Sequence, residues 1–169
     1  MKITRRHLLA LSAAASAVGA IGVGGLALQW WNQPPDAPYE VLSTEEASFI
    51  RAWGACAYPS TPAIPLTADE ARLDRFFDAF SKVMPADASR LLRLLLHALN
   101  SATLPTHGHQ FIDLDMETRM TIFESWTHAE LSEFRSATQS LVLILGMGWS
   151  IHPAVAPTMQ KLHSCGYGA

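Results

Sequence analysis

The sequence predicts an all-α fold, a small bundle of about five helices preceded by an N-terminal leader or anchor helix. Three observations support this prediction. Apolar residues recur at spacings of three and four along several segments of ten or more residues. These segments begin at helix-capping signals and are separated by prolines. No segment shows the alternation of apolar and polar residues that is typical of a strand.

Residues 1–31 have the pattern of an export leader. Lys2, Arg5 and Arg6 form a short basic region, and the next 21 residues, Leu8 to Leu28, carry no charge and are rich in Ala and Gly. An arginine pair before a weakly hydrophobic run is typical of the twin-arginine route, which exports folded proteins. We therefore expect Arg5 and Arg6 to be the export signal and the protein to be periplasmic. An ordinary signal or membrane anchor with incidental arginines is the alternative.

The fate of the leader is left open by the sequence. Small residues in the spacing that a leader peptidase recognises are missing near Gln29. The uncharged run is long enough to cross a bilayer, which takes roughly 20 residues. Trp30 and Trp31 follow where interfacial aromatic residues are expected. The leader is thus either cleaved or retained as an inner-membrane anchor, with Arg5 and Arg6 on the cytoplasmic side.

Residues 32–42 contain three prolines and predict a stiff linker before a helical domain over residues 43–169. Ser43 and Glu46 form a capping box at the start of the first helix, which Pro59 ends. The residues expected on its inner face are Ala47, Ile50, Trp53, Gly54 and Ala57.

The second helix follows another capping box, Thr67 and Glu70, and ends at Pro85. Its apolar residues are Leu73, Phe76, Phe77, Phe80 and Met84, and we expect these to face the core. Its opposite, solvent-facing side is expected to carry Asp74, Arg75, Asp78, Ser81 and Lys82.

The third helix is predicted over residues 86–102 and is apolar over a wide arc. Its expected core stripe is Leu91, Leu94, Leu95, Ala98 and Leu99, and Arg90, Arg93 and His97 occupy the remaining side. Arg93 and His97 are four residues apart and are expected to form a polar seam. After a loop over residues 104–108, Asp113 or Asp115 caps a fourth helix with Met116, Met120, Phe123 and Trp126 inward.

The last helix is predicted from about Leu131 to Met147, and Pro153 and Pro157 are expected to end regular structure. The stretch Leu141 to Trp149 is apolar on every side but too short to span a bilayer. It is therefore expected to be buried all round, either in the centre of the domain or under a partner. The candidate partner-interface residues are Leu141, Ile144, Trp149, His152 and Pro153.

The charge balance argues against nucleic acid as a partner. Once Lys2, Arg5 and Arg6 are assigned to the leader, nine basic and fifteen acidic residues remain, and no basic stripe is present. The sequence also lacks the motifs for covalent haem, a dinucleotide fold or a hydrolase nucleophile. We therefore expect no catalytic residue and no cofactor in this chain.

Two further pairs of residues are candidates for chemistry. His107 and His109 are the best metal-like pair, but a metal site needs three or four ligands, so a solvated loop is the preferred interpretation. Cys56 and Cys165 can bridge to each other in an oxidising compartment. Each can equally pair with another chain or stay free. Cys165, in a Gly-rich tail, is the candidate for a disulfide to a partner.

The order of these features resembles the gluconate 2-dehydrogenase subunit 3 family, the small subunits of membrane-associated flavin dehydrogenases. The resemblance is carried by the Arg-Arg leader, the Thr-Glu-Glu start of the first helix and the helix order. Further matching residues are Tyr58-Pro59, Phe76-Phe77, Phe111, Leu114, Arg119, Trp126, His152-Pro153 and Gly166-Tyr167.

The resemblance implies a non-catalytic subunit of a periplasmic dehydrogenase that oxidises a sugar or alcohol. In that family the catalytic subunit is a flavoprotein of the glucose–methanol–choline type, which binds FAD. The small subunit carries it through the twin-arginine translocase, and a cytochrome c subunit takes the electrons onward. Two alternatives stay open: a free-standing exported metal-binding or redox helical protein, and a membrane-anchored structural helical protein with another partner.

Overall fold

A computed structural model describes residues 29–162 of the chain. Its contacts divide the chain into two units, Met1–Gln33 and Pro34–Ala169. The expected leader helix lies almost wholly outside the described residues, and of the first unit only residues 29–33 are described, with residues 29–31 helical. The predicted linker is thus divided, and from Pro34 onward it belongs to the second unit.

The described part of the second unit is all-helical, with no strand between residues 34 and 162, as predicted. Five longer helices correspond to the five predicted ones, and two short helices were not predicted. The helices are α1 (Thr44–Ala57), α2 (Leu73–Val83), α3 (Ala86–Ser101), α4 (Leu104–His107), α5 (Met116–Thr127), α6 (Ser132–Ser150) and α7 (Ala156–Leu162), with a 3₁₀ turn at Phe111–Asp113.

The two short helices correct the prediction that their prolines exclude regular structure. Pro105 and Pro157 are each the second residue of a helix, α4 and α7. Proline is tolerated there because the first amides of a helix have no partner within it. Gly108 ends α4 in a left-handed conformation with φ of 71°.

Helix α1 is the centre of the domain and contacts α2, α3, α5 and α6. Its capping box is confirmed: the Glu46 amide donates to Ser43 Oγ at 3.2 Å, and the Ser43 amide donates to Glu46 Oε2 at 2.6 Å. Trp53 is fully buried among aromatic rings, with ring-centroid distances of 4.9 Å to Phe123 and 5.6 Å to Phe111. This aromatic cluster joins α1 to α5 and the 3₁₀ turn.

Helix α5 is capped by Asp115, whose side chain accepts from the Thr118 amide at 2.9 Å. Phe123 and Trp126 pack against the core as predicted, but Met116 is exposed and Ile122 is the buried residue of this helix. Met116 is the first residue of the helix, and only one end of α5 reaches the aromatic cluster.

Part of the predicted solvent face of α2 is buried, which corrects the assignment of Asp74, Asp78 and Ser81, whereas Lys82 is exposed as predicted. The chain before α1 crosses this face. Asp78 accepts the backbone amides of Glu40, Val41 and Leu42 at distances of 2.9 to 3.0 Å. Asp74 accepts from Tyr39 Oη at 2.5 Å and from Arg51 at 3.2 Å. The predicted linker is therefore bound to the domain along this stretch.

The start of α2 also differs from the prediction. Thr67 and Glu70 form reciprocal hydrogen bonds, as in a capping box. They cap a separate turn over residues 68–72, because Arg72 adopts a left-handed conformation with φ of 54° and α2 begins after it.

Helix α6 approaches its neighbours at two glycines. A Cβ atom at Gly148 would lie 2.5 Å from the ring of Phe76, and one at Gly146 would lie 2.6 Å from Tyr58 Oη. The Tyr58 hydroxyl donates to the Val142 carbonyl at 2.6 Å, so it cannot retreat without losing that bond. Both glycines are required by packing, although both stand inside a helix.

Replacing Gly148 by alanine is expected to lower the free energy of unfolding by about 1–2 kcal/mol, as measured by urea denaturation. The new methyl group overpacks against Phe76 at a cost of about 1–3 kcal/mol. The higher helix propensity of alanine offsets up to about 1 kcal/mol of this cost. In a Phe76→Ala background the same change should stabilise the protein, because the clash is gone. Stabilisation in the wild-type background would contradict the close approach of α2 and α6.

Candidate functional site

A buried cluster of charged groups joins α1 to α3. Arg93 Nε donates to both carboxylate oxygens of Glu46, at 2.9 and 3.1 Å, and His97 Nε2 lies 3.1 Å from Glu46 Oε1. All three residues are buried. The Ser43 amide is a further donor to Glu46. The seam predicted for Arg93 and His97 is present, but it lies inside the domain.

The position of this cluster shifts the buried face of α3 away from the predicted one, although Leu99 is buried as predicted. Leu91 is 57% exposed and Ala98 is also exposed, although both were expected in the core. Leu96 and Leu99 are buried beside the charged seam. Since α3 is apolar over most of its circumference, its apolar periodicity alone does not decide which side faces α1. Glu46 determines which side of α3 faces α1, because a buried carboxylate requires hydrogen-bond and charge partners.

The electrostatics of Glu46 favour its ionised form. Burial acts to raise the pKa of Glu46, but the hydrogen bonds from His97, Arg93 and the Ser43 amide outweigh it, so the pKa lies below its ordinary value. The carboxylate is fully shielded from solvent. A charged group that is closed off in this way can hold two helices together, whereas a catalytic group must reach a substrate.

The sequence pattern places Glu46 in the capping box alone and does not predict its contacts with Arg93 and His97. The available signal was the spacing of Arg93 and His97, which places two possible donors on one helix face. Nothing in the spacing identified which acid they contact, since Glu46 is 47 residues from Arg93.

The two histidines of the metal-like pair lie on the surface in α4 and the turn after it. His107 Nδ1 lies 2.8 Å from Thr106 Oγ1, and the His109 backbone carbonyl accepts from Thr103 Oγ1 at 2.7 Å. The nearby acid Asp115 caps α5. Within residues 29–162, no group of three or more His, Cys, Asp or Glu side chains is placed to hold a metal ion.

Of the two cysteines and the two arginines of the expected export signal, only Cys56 lies within the described residues. Cys56 is buried on α1, and burial raises the pKa of its thiol to about 11, so the thiol stays protonated. Cys165, Arg5 and Arg6 lie outside the described residues. A disulfide from either cysteine and the export role of the arginine pair therefore stay predictions.

Helix α6 has one face in the core and the opposite face exposed, so it is not buried all round. Of the candidate interface residues, Leu141 and Trp149 lie in the core, where Trp149 stacks on Tyr58 with ring centroids 5.3 Å apart. Ile144 is partly buried against the core, His152 is half-buried and Pro153 is exposed.

The exposed face of α6 carries a row of large apolar side chains. Leu143 is 71% exposed, Met147 47% and Ile151 68%. These residues are four apart, so they lie on one helix face, and we name them the α6 stripe. Scattered exposed leucines are ordinary, but aligned ones are typical of an interaction surface.

Helices that cross a bilayer are both long and apolar. Between residues 29 and 162, no helix combines the length and the hydropathy that a membrane span needs. The predicted anchor falls on residues outside this range.

The site that the geometry favours is therefore a contact surface on α6 and its C-terminal end. Comparison with protein-family models, with curated proteins and with solved structures found no match for this chain.

Proposed function

We propose that this protein is a non-catalytic accessory subunit of a periplasmic FAD-dependent dehydrogenase that oxidises a sugar or alcohol. It assembles with the catalytic flavoprotein, which is of the glucose–methanol–choline type and has no leader of its own. The Arg5-Arg6 leader then takes the folded complex through the twin-arginine translocase. A cytochrome c subunit accepts the electrons, and the leader is either cleaved or holds the complex at the inner membrane.

The α6 stripe is the observation that carries this proposal. A leucine, isoleucine or methionine side chain that becomes fully buried contributes about 1.5–3 kcal/mol, so Leu143, Met147 and Ile151 are well suited to hold a partner. A stable interface buries roughly 1,200–2,000 Å² in total, so the stripe forms the centre of a wider contact. Together with the order of sequence features, an exposed apolar surface supports a binding subunit over an enzyme.

Export is tested by changing Arg5 and Arg6 together to lysine. The charge is kept while the arginine pair is lost, so a route that recognises the pair should fail. We expect periplasmic dehydrogenase activity to disappear and both subunits to accumulate in the cytoplasm, as measured by fractionation and activity assay. The Lys2→Gln variant is the control, since it removes a charge but retains the pair. Normal periplasmic activity of the double-lysine variant would refute the proposal.

Assembly is tested by placing a charge in the α6 stripe. In Leu143→Glu, a carboxylate would be desolvated at the interface, so we expect the flavin that co-purifies with the tagged chain to fall at least about tenfold. Leu91→Glu on α3 is the matched control, because it adds the same charge at an exposed leucine elsewhere. Both variants should fold normally. Equal flavin recovery from both would place the interface away from the stripe.

A further inference from the structure

A cleft of about 300 Å³ lies where α2, α3 and the chain before α1 meet. Basic side chains from two helices line it: Lys82 at the end of α2, and Arg90 and Arg93 on α3. One acidic residue, Glu40, is also part of the lining. Apolar contacts come from Pro35, Val41 and Met84. The cleft thus combines a side lined by basic residues with an apolar side.

The N-terminus of α3 opens onto the same cleft. Ala86, the first residue of this 16-residue helix, is part of the lining. Pro85 precedes it, and no side chain in the described part of the chain caps the helix. The first amides of a helix lack partners within the helix, and the helix dipole adds positive potential there. Such an end is suited to an oxyanion, although a helix end alone does not make a site.

Ser81 provides an independent indication of a ligand. This residue lines the cleft and is 1% exposed, yet its hydroxyl has no hydrogen-bond partner among the described residues. A buried hydroxyl without a partner is costly, and nearly all such groups in folded proteins are satisfied. A ligand oxygen that approached this hydroxyl from the cleft would accept the hydrogen bond.

The acids at the cleft do not prevent anion binding. Glu40 pairs with Lys82, and Asp87 pairs with Arg90 at 3.5 Å. Both pairs are exposed, and pairs of this kind are weak, so a ligand can share their cations at little cost. Glu46 lies behind Arg93 and keeps that guanidinium in place at the wall of the cleft.

We propose that this cleft binds a phosphate group carried on a small organic body. The first amides of α3, the Ser81 hydroxyl and the basic side chains supply donors for several oxygens, as phosphate requires. The apolar side accommodates the organic part. The same chemistry is offered by a free small phosphate and by the headgroup of an anionic phospholipid, so the experiment has an arm for each source. The site is independent of the partner proposed for the α6 stripe.

The first arm titrates the ¹⁵N-labelled full-length chain, in a neutral maltoside detergent, with inorganic phosphate against chloride at equal ionic strength. We expect saturable shifts of the Ala86 to Ala88 amides. Ser81→Ala and Lys82→Gln should each weaken binding by about tenfold, the effect of losing one hydrogen bond to a charged group. Because the Ser81 hydroxyl has no partner among residues 29–162, Ser81→Ala should fold as well as the wild type. The control is Arg72→Asn, which removes a charge outside the cleft at a left-handed residue where asparagine is tolerated.

The second arm measures flotation with vesicles of phosphatidylcholine, with and without phosphatidylglycerol. The leader contributes equally to vesicle binding in every variant. A loss of flotation that is confined to Ser81→Ala and Lys82→Gln therefore reports on the cleft. Saturable phosphate binding with the expected variant pattern supports a free small phosphate as the source. Phosphatidylglycerol-dependent flotation with that pattern supports a lipid headgroup. If neither probe binds, or if Arg72→Asn weakens binding as much as the cleft variants, the proposal is overturned.

Discussion

Glu46→Gln is expected to lower the free energy of unfolding by about 3–5 kcal/mol. The amide keeps the size of the side chain and one acceptor oxygen for the Ser43 amide. It removes the negative charge that faces Arg93, and Arg93 is buried on α3. A buried guanidinium without its counter-charge is among the costliest defects that a single substitution produces. Urea denaturation followed by circular dichroism measures the loss.

The neighbouring acid on α1 provides the control. Glu45 accepts from Asn100 at 3.0 Å, but its side chain is about one-third exposed. Glu45→Gln should therefore cost less than about 1 kcal/mol. The double variant Glu46→Gln/Arg93→Met should recover part of the loss, because the uncompensated charge is then gone. If Glu46→Gln and Glu45→Gln were equally mild, the seam would not hold α1 and α3 together.

The Glu46 carboxylate also makes the free energy of unfolding depend on pH. The pKa of Glu46 is lowered in the fold from its ordinary value of 4.5. A lowered pKa contributes stability that is present above pH 4.5 and is lost as the pH falls through the folded-state pKa. Asp74, whose pKa is also lowered, acts in the same direction. Denaturation at a series of pH values should therefore show a smaller acid loss in Glu46→Gln than in the wild type.

Local sequence signals predicted the long helices and the inner face of α1, but not which side of α3 faces inward. The Ser43–Glu46 capping box and the long helices are readable because their determinants lie within a few residues of each other. The side of α3 that faces inward is fixed by Glu46, 47 residues from Arg93. A rule that places leucine inside and arginine outside fails here, since a paired buried charge overrides it.

The proposed contact surface on α6 was predicted only in outline for a related reason. The apolar stretch Leu141 to Trp149 was recognised, but its continuous hydrophobicity hides the difference between its two faces. Residues 141, 145 and 149 face the core, while residues 143, 147 and 151 face outward. Gly148 marks the close approach of α2, and this contact determines which side of α6 is covered.

Asp78→Ala is the second substitution with a large expected effect, a loss of about 3 kcal/mol or more in the free energy of unfolding. Asp78 is buried and accepts the amides of three consecutive residues, Glu40 to Leu42. Hydrogen bonds to a charged acceptor contribute about 1.5–3 kcal/mol each, and alanine would leave these amides without an acceptor. Asp69→Ala, at an exposed acid beside α2, should change stability by less than about 0.5 kcal/mol.

Hydrogen exchange distinguishes the loss of the three hydrogen bonds to Asp78 from general destabilisation. In Asp78→Ala, the amides of residues 40–42 should exchange much faster, while those in the middle of α1 should change only as much as global stability does. Asp78→Asn should lie between, because its single carbonyl oxygen can still accept from Val41 and Leu42, which both bind Oδ1, whereas its amide group opposes the Glu40 amide. If these three amides stayed protected in Asp78→Ala, the buried Leu42 side chain and the Tyr39–Asp74 bond would be sufficient to hold the segment on α2.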